Sequence, residues 1–95
     1  MDLSGRIALV TGGTRGIGRA IAETLFAHGA ALALCSRDAG AARATAAALD
    51  PTGQRALGIG CDVTDEAAVA RMIAGILDRF GALHLAVNSA GGPGE

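Results

Sequence analysis

Apolar and polar positions along this chain follow two rhythms. Short apolar runs, Ile7-Ala8-Leu9-Val10 first among them, give way to longer stretches whose apolar residues recur every three or four positions. The short runs read as buried strands and the longer ones as amphipathic helices. The pattern predicts strand one over 6–11, helix one over 16–28, strand two over 31–36 and helix two over 39–49. Strand three follows over 55–61, helix three over 65–80 and strand four over 83–88. Ile17, Ile21 and Leu25 mark one face of helix one, and Gly29 is placed to end it. Strand two is almost wholly apolar, as a strand buried on both faces should be. Asp38 is placed to cap helix two, with Pro51 and Gly53 marking its exit. Gly58 and Gly60 weaken strand three. Helix three carries Val69, Met72, Ile73, Ile76, Leu77 and Phe80 as one apolar stripe. Thr64 is its expected N-cap and Gly81 its stop. Residues 89–95 are rich in Gly and Pro and read as loop.

Strands alternating with helices in the order βαβαβαβ predict an α/β fold, with right-handed crossovers building a doubly wound parallel sheet. In the Rossmann-type arrangement the strand order is 3-2-1-4. The turn after strand one then lies beside the switch point, on the carboxyl rim where such sheets bind ligands. Helices one and two share one face of the sheet, and helix three is alone on the other. Strand four is an apolar edge, and an unpaired apolar edge recruits further chain. The expectation is a single partial domain over 1–95, truncated or paired with another chain through strand four and helix three.

Composition narrows this picture. The chain has 95 residues, enough for one small domain, and is 51% hydrophobic with Phe26 and Phe80 as its aromatics. Its core must therefore be aliphatic. Net charge is −1 with acids and arginines interspersed, so neither a nucleic-acid nor a membrane surface is expected. The longest apolar run, 30–35, is too short to cross a bilayer. No signal peptide is visible, and two well-separated cysteines suit a reduced, cytoplasmic chain. All eight basic residues are Arg. With neither Tyr nor Lys in the sequence, neither can carry chemistry in it.

The run Thr11-Gly12-Gly13-Thr14-Arg15-Gly16-Ile17-Gly18 joins strand one to helix one. The first N–H groups of a helix have no intrahelical partner and can point at an anion. Glycines let the backbone bend there and approach a ligand without a Cβ in the way. The spacing differs from the common G-x-G-x-x-G fingerprint. It resembles instead the T-G-x-x-x-G-x-G turn of the short-chain dehydrogenase/reductase family. The resemblance runs along essentially the whole chain. Cys35-Ser36-Arg37 sits where the family reads the adenosine ribose. Cys61-Asp62-Val63 is similar to its adenine-contacting step. Asn88-Ser89-Ala90-Gly91 is similar to its N-N-A-G motif, with Ser89 in place of the second Asn.

The resemblance implies that Gly12, Thr14, Arg15, Gly16, Ile17 and Gly18 hold a dinucleotide pyrophosphate. It implies that Ser36 and Arg37 meet the ribose, that Asp62 and Val63 meet adenine, and that Asn88, Ala90 and Gly91 support the cofactor loop. NAD-binding sites tend to end strand two with an acid on the ribose 2′-OH. Here Ser36 and Arg37 stand there, and guanidinium groups at Arg15 and Arg37 can clamp a 2′-phosphate. NADP is therefore expected over NAD. The bland alternatives are solvated arginines, an Asp62 that only shapes the turn, and Thr11 and Thr14 hydroxyls that brace the turn rather than bind phosphate. Asn88 is expected to brace the sheet. Cys35 and Cys61 are expected as buried thiols, and His28 and His84 as structural residues.

The family's Tyr-x-x-x-Lys pair, which transfers the proton while the cofactor carries the hydride, cannot be placed on this sequence. No catalytic residue is therefore assigned. Three readings stay open: the cofactor-binding part of a carbonyl reductase or alcohol dehydrogenase, a non-catalytic nucleotide-binding module, and a self-associating structural fragment.

Overall fold

A computed structural model describes residues 1–89. Ala90 and Gly91 lie outside the described residues. The elements are β1 (Ile7–Thr11), α1 (Gly16–Ala27), β2 (Ala31–Ser36), α2 (Ala39–Leu49), β3 (Ala56–Gly60), α3 (Glu66–Phe80) and β4 (Leu85–Asn88). All strand pairs are parallel and the order is β3-β2-β1-β4, as the alternation of elements predicts.

Side chains alternate across each strand, which divides the core in two. Ala8, Val10, Leu32, Leu34 and Ala56 face α1 and α2, where they meet Ala22 and Ala46. Ile7, Leu9, Ala33 and Cys35 face α3, where they meet Met72 and Ile76. Leu32, Leu34, Val10 and Ile76 are fully buried, and burying each such side chain stabilises the fold by about 1.5–3 kcal/mol. Among the described residues α3 is the one helix on its face, as expected. Its stripe is wider than the sheet can cover, and Leu77 stays 45% exposed.

Gly58 and Gly60 have a role beyond weakening a strand. Both share the face of Ala56 by the period of two. A Cβ at Gly58 would strike the Ala42–Arg43 backbone, and one at Gly60 would strike Ala39. The bare strand lets an alanine-lined helix lie almost directly on it.

Helix ends show one difference from expectation. The cap of α3 is Asp65, whose Oδ1 accepts from the Ala67 and Ala68 amides at 3.0 and 3.2 Å. Thr64 instead turns back, its amide and hydroxyl donating to Asp62 Oδ1 at 2.9 and 2.7 Å. Both residue types cap well; the Asp62–Thr64 turn takes the threonine and leaves the aspartate to the helix. Asp38 caps α2 as expected, accepting from the Ala41 amide. Gly29 takes φ of 103° just past α1, and Gly81 takes φ of 82° just past α3.

Strand β4 is shorter than the apolar pattern suggests, because His84 replaces the first rung with its ring. Its amide donates to the Ile7 carbonyl at 2.9 Å, while its Nδ1 accepts from the Ile7 amide at 3.0 Å. His28 Nδ1–H donates to the Thr24 carbonyl at the end of α1. Both histidines are structural, as expected.

Candidate functional site

Parallel, in-register pairing lines up the carboxyl ends of the strands. Thr11 pairs with Cys35 on one side and Asn88 on the other, and Ser36 pairs with Gly60. Thr11, the glycine turn, Ser36, Arg37, Asp62 and Asn88 thus all lie at or just past this one rim.

The glycine turn is held from both flanks. The Gly12 amide donates to the Cys35 carbonyl at 2.9 Å. On the other flank the Thr11 hydroxyl donates to Asn88 Oδ1 at 2.9 Å, and the Ser89 hydroxyl donates to the Thr11 carbonyl at 2.5 Å. The Thr11 hydroxyl thus stabilises the turn, and Asn88 braces the sheet. Serine in place of the motif's second asparagine keeps a tie between β4 and the turn. Gly12 and Gly16 take φ of 69° and 62°, the left-handed region that favours glycine. Gly18 has another constraint: a Cβ there would overlap the Gly12 carbonyl and Ser89 Oγ. The three glycines set the height of the turn over α1.

Helix α1 starts differently from its neighbours. Its N-cap, Arg15, makes no side-chain cap bond, and no acid occupies its first turn. Aspartate side chains fill the N-cap positions of α2 and α3 and accept from their first amides. The positive end of α1 and its first amides are left for an anion from outside. Ile17, beside them, is 77% exposed.

Next to this helix end lies a cleft of about 490 Å³. Thr14 and Arg15 form one side and Ser36, Arg37 and Asp38 the other. Neither Arg15 nor Arg37 makes a hydrogen bond or ion pair among the described residues. The Ser36 hydroxyl accepts from the Asp38 amide at 3.2 Å, so Asp38 serves α2 and its turn. Asp62 and Val63 lie beyond β3, outside the cleft lining. Thr64's hydroxyl and amide hold the Asp62 carboxyl below its usual range against partial dehydration, and the Arg37 charge adds to the effect. Asp62 Oδ1 is engaged in the turn. Cys35 and Cys61 are buried, and the Cys35 thiol donates to the Cys61 carbonyl at 3.7 Å. Among the described residues no group of His, Cys, Asp or Glu could hold a metal ion.

Sequence reasoning missed Arg55. Its Nη2 donates to the Phe26 and Ala30 carbonyls at 2.7 and 3.3 Å, and its guanidinium lies 4.0 Å from the Phe26 ring centroid. It closes the far end of α1. Only its position one residue before β3 hinted at this.

Residues 6–95 match the family described as short chain dehydrogenase. The chain belongs to that family. It is 47% identical over 90 residues to the sorbitol dehydrogenase of Cereibacter sphaeroides, covering 95% of this chain and 34% of that protein. It is 41% identical over 93 residues to 15-hydroxyprostaglandin dehydrogenase [NAD(+)] of Mus musculus, covering 96% of this chain and 35% of that one. Among solved structures, the RhlG/NADP active-site complex of Pseudomonas aeruginosa superposes with a TM-score of 0.86 at 42% identity. That match covers 96% of this chain and 36% of RhlG. The short chain dehydrogenase chain described here thus spans about a third of the length of these relatives. Their names include both NAD(+) and NADP, so the choice between the two falls to this chain's own residues.

Proposed function

We propose that this chain is the NADP(H)-binding portion of a short-chain dehydrogenase/reductase-type oxidoreductase. One observation carries the reading: an uncapped helix start, set on a glycine turn, beside a cleft with two arginines that make no hydrogen bond or ion pair among the described residues. The residues present suit a dinucleotide. Amides at the start of α1 take the pyrophosphate, with Gly12, Gly16 and Gly18 allowing its approach and Thr14 and Ile17 flanking it. Arg15 and Arg37 hold a 2′-phosphate beside Ser36. The second oxygen of Asp62 accepts from the adenine amino group, with Val63 presenting backbone. Asn88, Ala90 and Gly91 support the loop at the end of β4. When bound, the nicotinamide supplies hydride exchange with a carbonyl or alcohol carbon. Without Tyr or Lys, this chain by itself is expected to bind without turning over substrate.

Titration with NADPH and NADH tests the proposal. NADPH should bind about 10–100-fold more tightly, the worth of one or two charge-assisted bonds to the extra phosphate. Arg37→Ala should erase most of that difference. Equal affinities in the unaltered chain would refute it.

A second reading concerns partners. Strand β4 is a sheet edge, and Leu85 on it and Leu77 on α3 are each 45% exposed. These features support pairing with another chain, a second copy included, through β4 and α3. Two buried thiols support a reducing, cytoplasmic location. Among the described residues, no helix is long and apolar enough to cross a membrane.

A further inference from the structure

The cleft beside the glycine turn has a floor that the two arginines leave unused. Thr45 of α2 lies there, lining the cleft with Ala41 and Ala44, and is only 6% exposed. A threonine inside a helix commonly returns its hydroxyl proton to the carbonyl four residues back. Thr24 does so on α1, donating to the Ala20 carbonyl at 3.0 Å. Thr45 does not: its hydroxyl makes no hydrogen bond among the described residues. Nor is the oxygen sealed off. Among the described residues the one fully enclosed side-chain nitrogen or oxygen without a partner is Arg55 Nε. The Thr45 oxygen is therefore not fully enclosed, and its residue lines the cleft.

A hydroxyl with no partner in the protein and an opening to a cleft is free to serve a ligand. Here it is a neutral donor at the base of a cleft whose mouth carries Arg15 and Arg37. A phosphate monoester has three terminal oxygens, each able to accept more than one hydrogen bond, so a neutral donor can add to two guanidinium groups. The cleft, at about 490 Å³, also has room for bridging water.

We propose that Thr45 is a specificity-determining residue for the 2′-phosphate, its hydroxyl donating to a phosphate oxygen directly or through one water. The inference rests on the arginine reading above. It adds a neutral donor from the second turn of α2 to the charged mouth.

The probes are adenosine 2′,5′-bisphosphate, which carries the 2′-phosphate, and adenosine 5′-monophosphate, which lacks it. Calorimetric titration of the whole chain compares the unaltered protein with Thr45→Val, Thr45→Ser and Arg37→Ala. Thr45→Val should weaken the bisphosphate about tenfold, the worth of one bond to a charged group, and leave the monophosphate unchanged. Thr45→Ser, which keeps the hydroxyl, should restore most of the loss. Thermal unfolding without ligand is the second readout. Valine has the same shape without the unpaired oxygen, so Thr45→Val should melt at the same temperature or higher. A purely structural hydroxyl would instead lower it. If Arg37→Ala weakens the bisphosphate and Thr45→Val does not, the Thr45 inference is overturned and the arginine reading stands. If the unaltered chain binds both probes equally, both fall together.

Discussion

Gly18→Ala sets two known effects against each other at one position. Gly18 is the third residue of α1, and in an open helix alanine there would be favourable by about 1 kcal/mol. The new Cβ, however, would occupy the space of the Gly12 carbonyl and Ser89 Oγ. Neither can step aside cheaply. Gly12 is fixed by its amide bond to the Cys35 carbonyl, and Ser89 by its hydroxyl bond to the Thr11 carbonyl. Relief requires lifting α1 off the sheet, which puts the cost near the upper end of the overpacking range, about 3 kcal/mol. The displaced Ser89 hydrogen bond adds about 1 kcal/mol. The net expectation is a loss of about 3 kcal/mol. Gly75 supplies the control, because it is exposed on α3 and a Cβ there meets nothing within 4 Å. Gly75→Ala should stabilise by about 0.5–1 kcal/mol. Urea unfolding followed by circular dichroism reads both. With a slope of about 1 kcal/mol per molar for a small domain, the two midpoints should stand about 3.5–4 M apart. A Gly18→Ala midpoint equal to or above that of the unaltered chain, at unchanged slope, would refute the close-approach argument.

Other perturbations follow from the same contacts. Arg55→Ala removes two bonds to carbonyls at the end of α1 and a cation–π contact, so it should cost about 2–3 kcal/mol in urea unfolding; a loss under about 0.5 kcal/mol would show that its half-desolvated guanidinium offsets its bonds. Asp50 is held below its ordinary carboxylate range by the Thr52 hydroxyl and then the Arg55 amide, against partial dehydration. Its ionised form therefore supports the fold above about pH 4, and that support fades as pH falls through the lowered folded-state value. Stability measured against pH should show this acid loss reduced in Asp50→Asn, and an identical acid limb would contradict it. Sedimentation equilibrium should show self-association that Leu85→Lys on the β4 edge suppresses; a monomer at high concentration, or an association insensitive to Leu85→Lys, would argue against the β4 surface.

The fold was legible because its signals are local and mutually consistent. Period-two and period-3.6 runs, Gly29, Gly81 and Asp38 each decide their neighbourhood without reference to the rest of the chain. The glycine turn could be read for the same reason, its spacing being a backbone constraint carried within a few residues. Errors arose where two local options competed, as Thr64 and Asp65 did for one helix start. What stayed hidden depends on residues distant in sequence. Ser89 reaches Thr11 across 78 positions, His84 supplies a ring nitrogen to Ile7 across 77, and Arg55 reaches the Phe26 carbonyl, in the last turn of α1, across 29. No periodicity records such meetings. The meaning of Gly58 and Gly60 was hidden likewise, since a missing side chain says nothing about which helix comes to rest on it.

That seating of α2 on β3 binds four positions into one unit. A methyl at Gly58 would meet the backbone of Ala42 and Arg43, and one at Gly60 would meet Ala39, so neither glycine can gain one while α2 keeps its seat. Substitutions across this seam should be strongly non-additive, leaving few routes by which inheritance can alter it. Arg37, two residues before the helix begins, stands on ground that drift cannot easily move. Preference for one ligand over another can then change by exchanging the side chains displayed there, while the platform beneath them keeps its place.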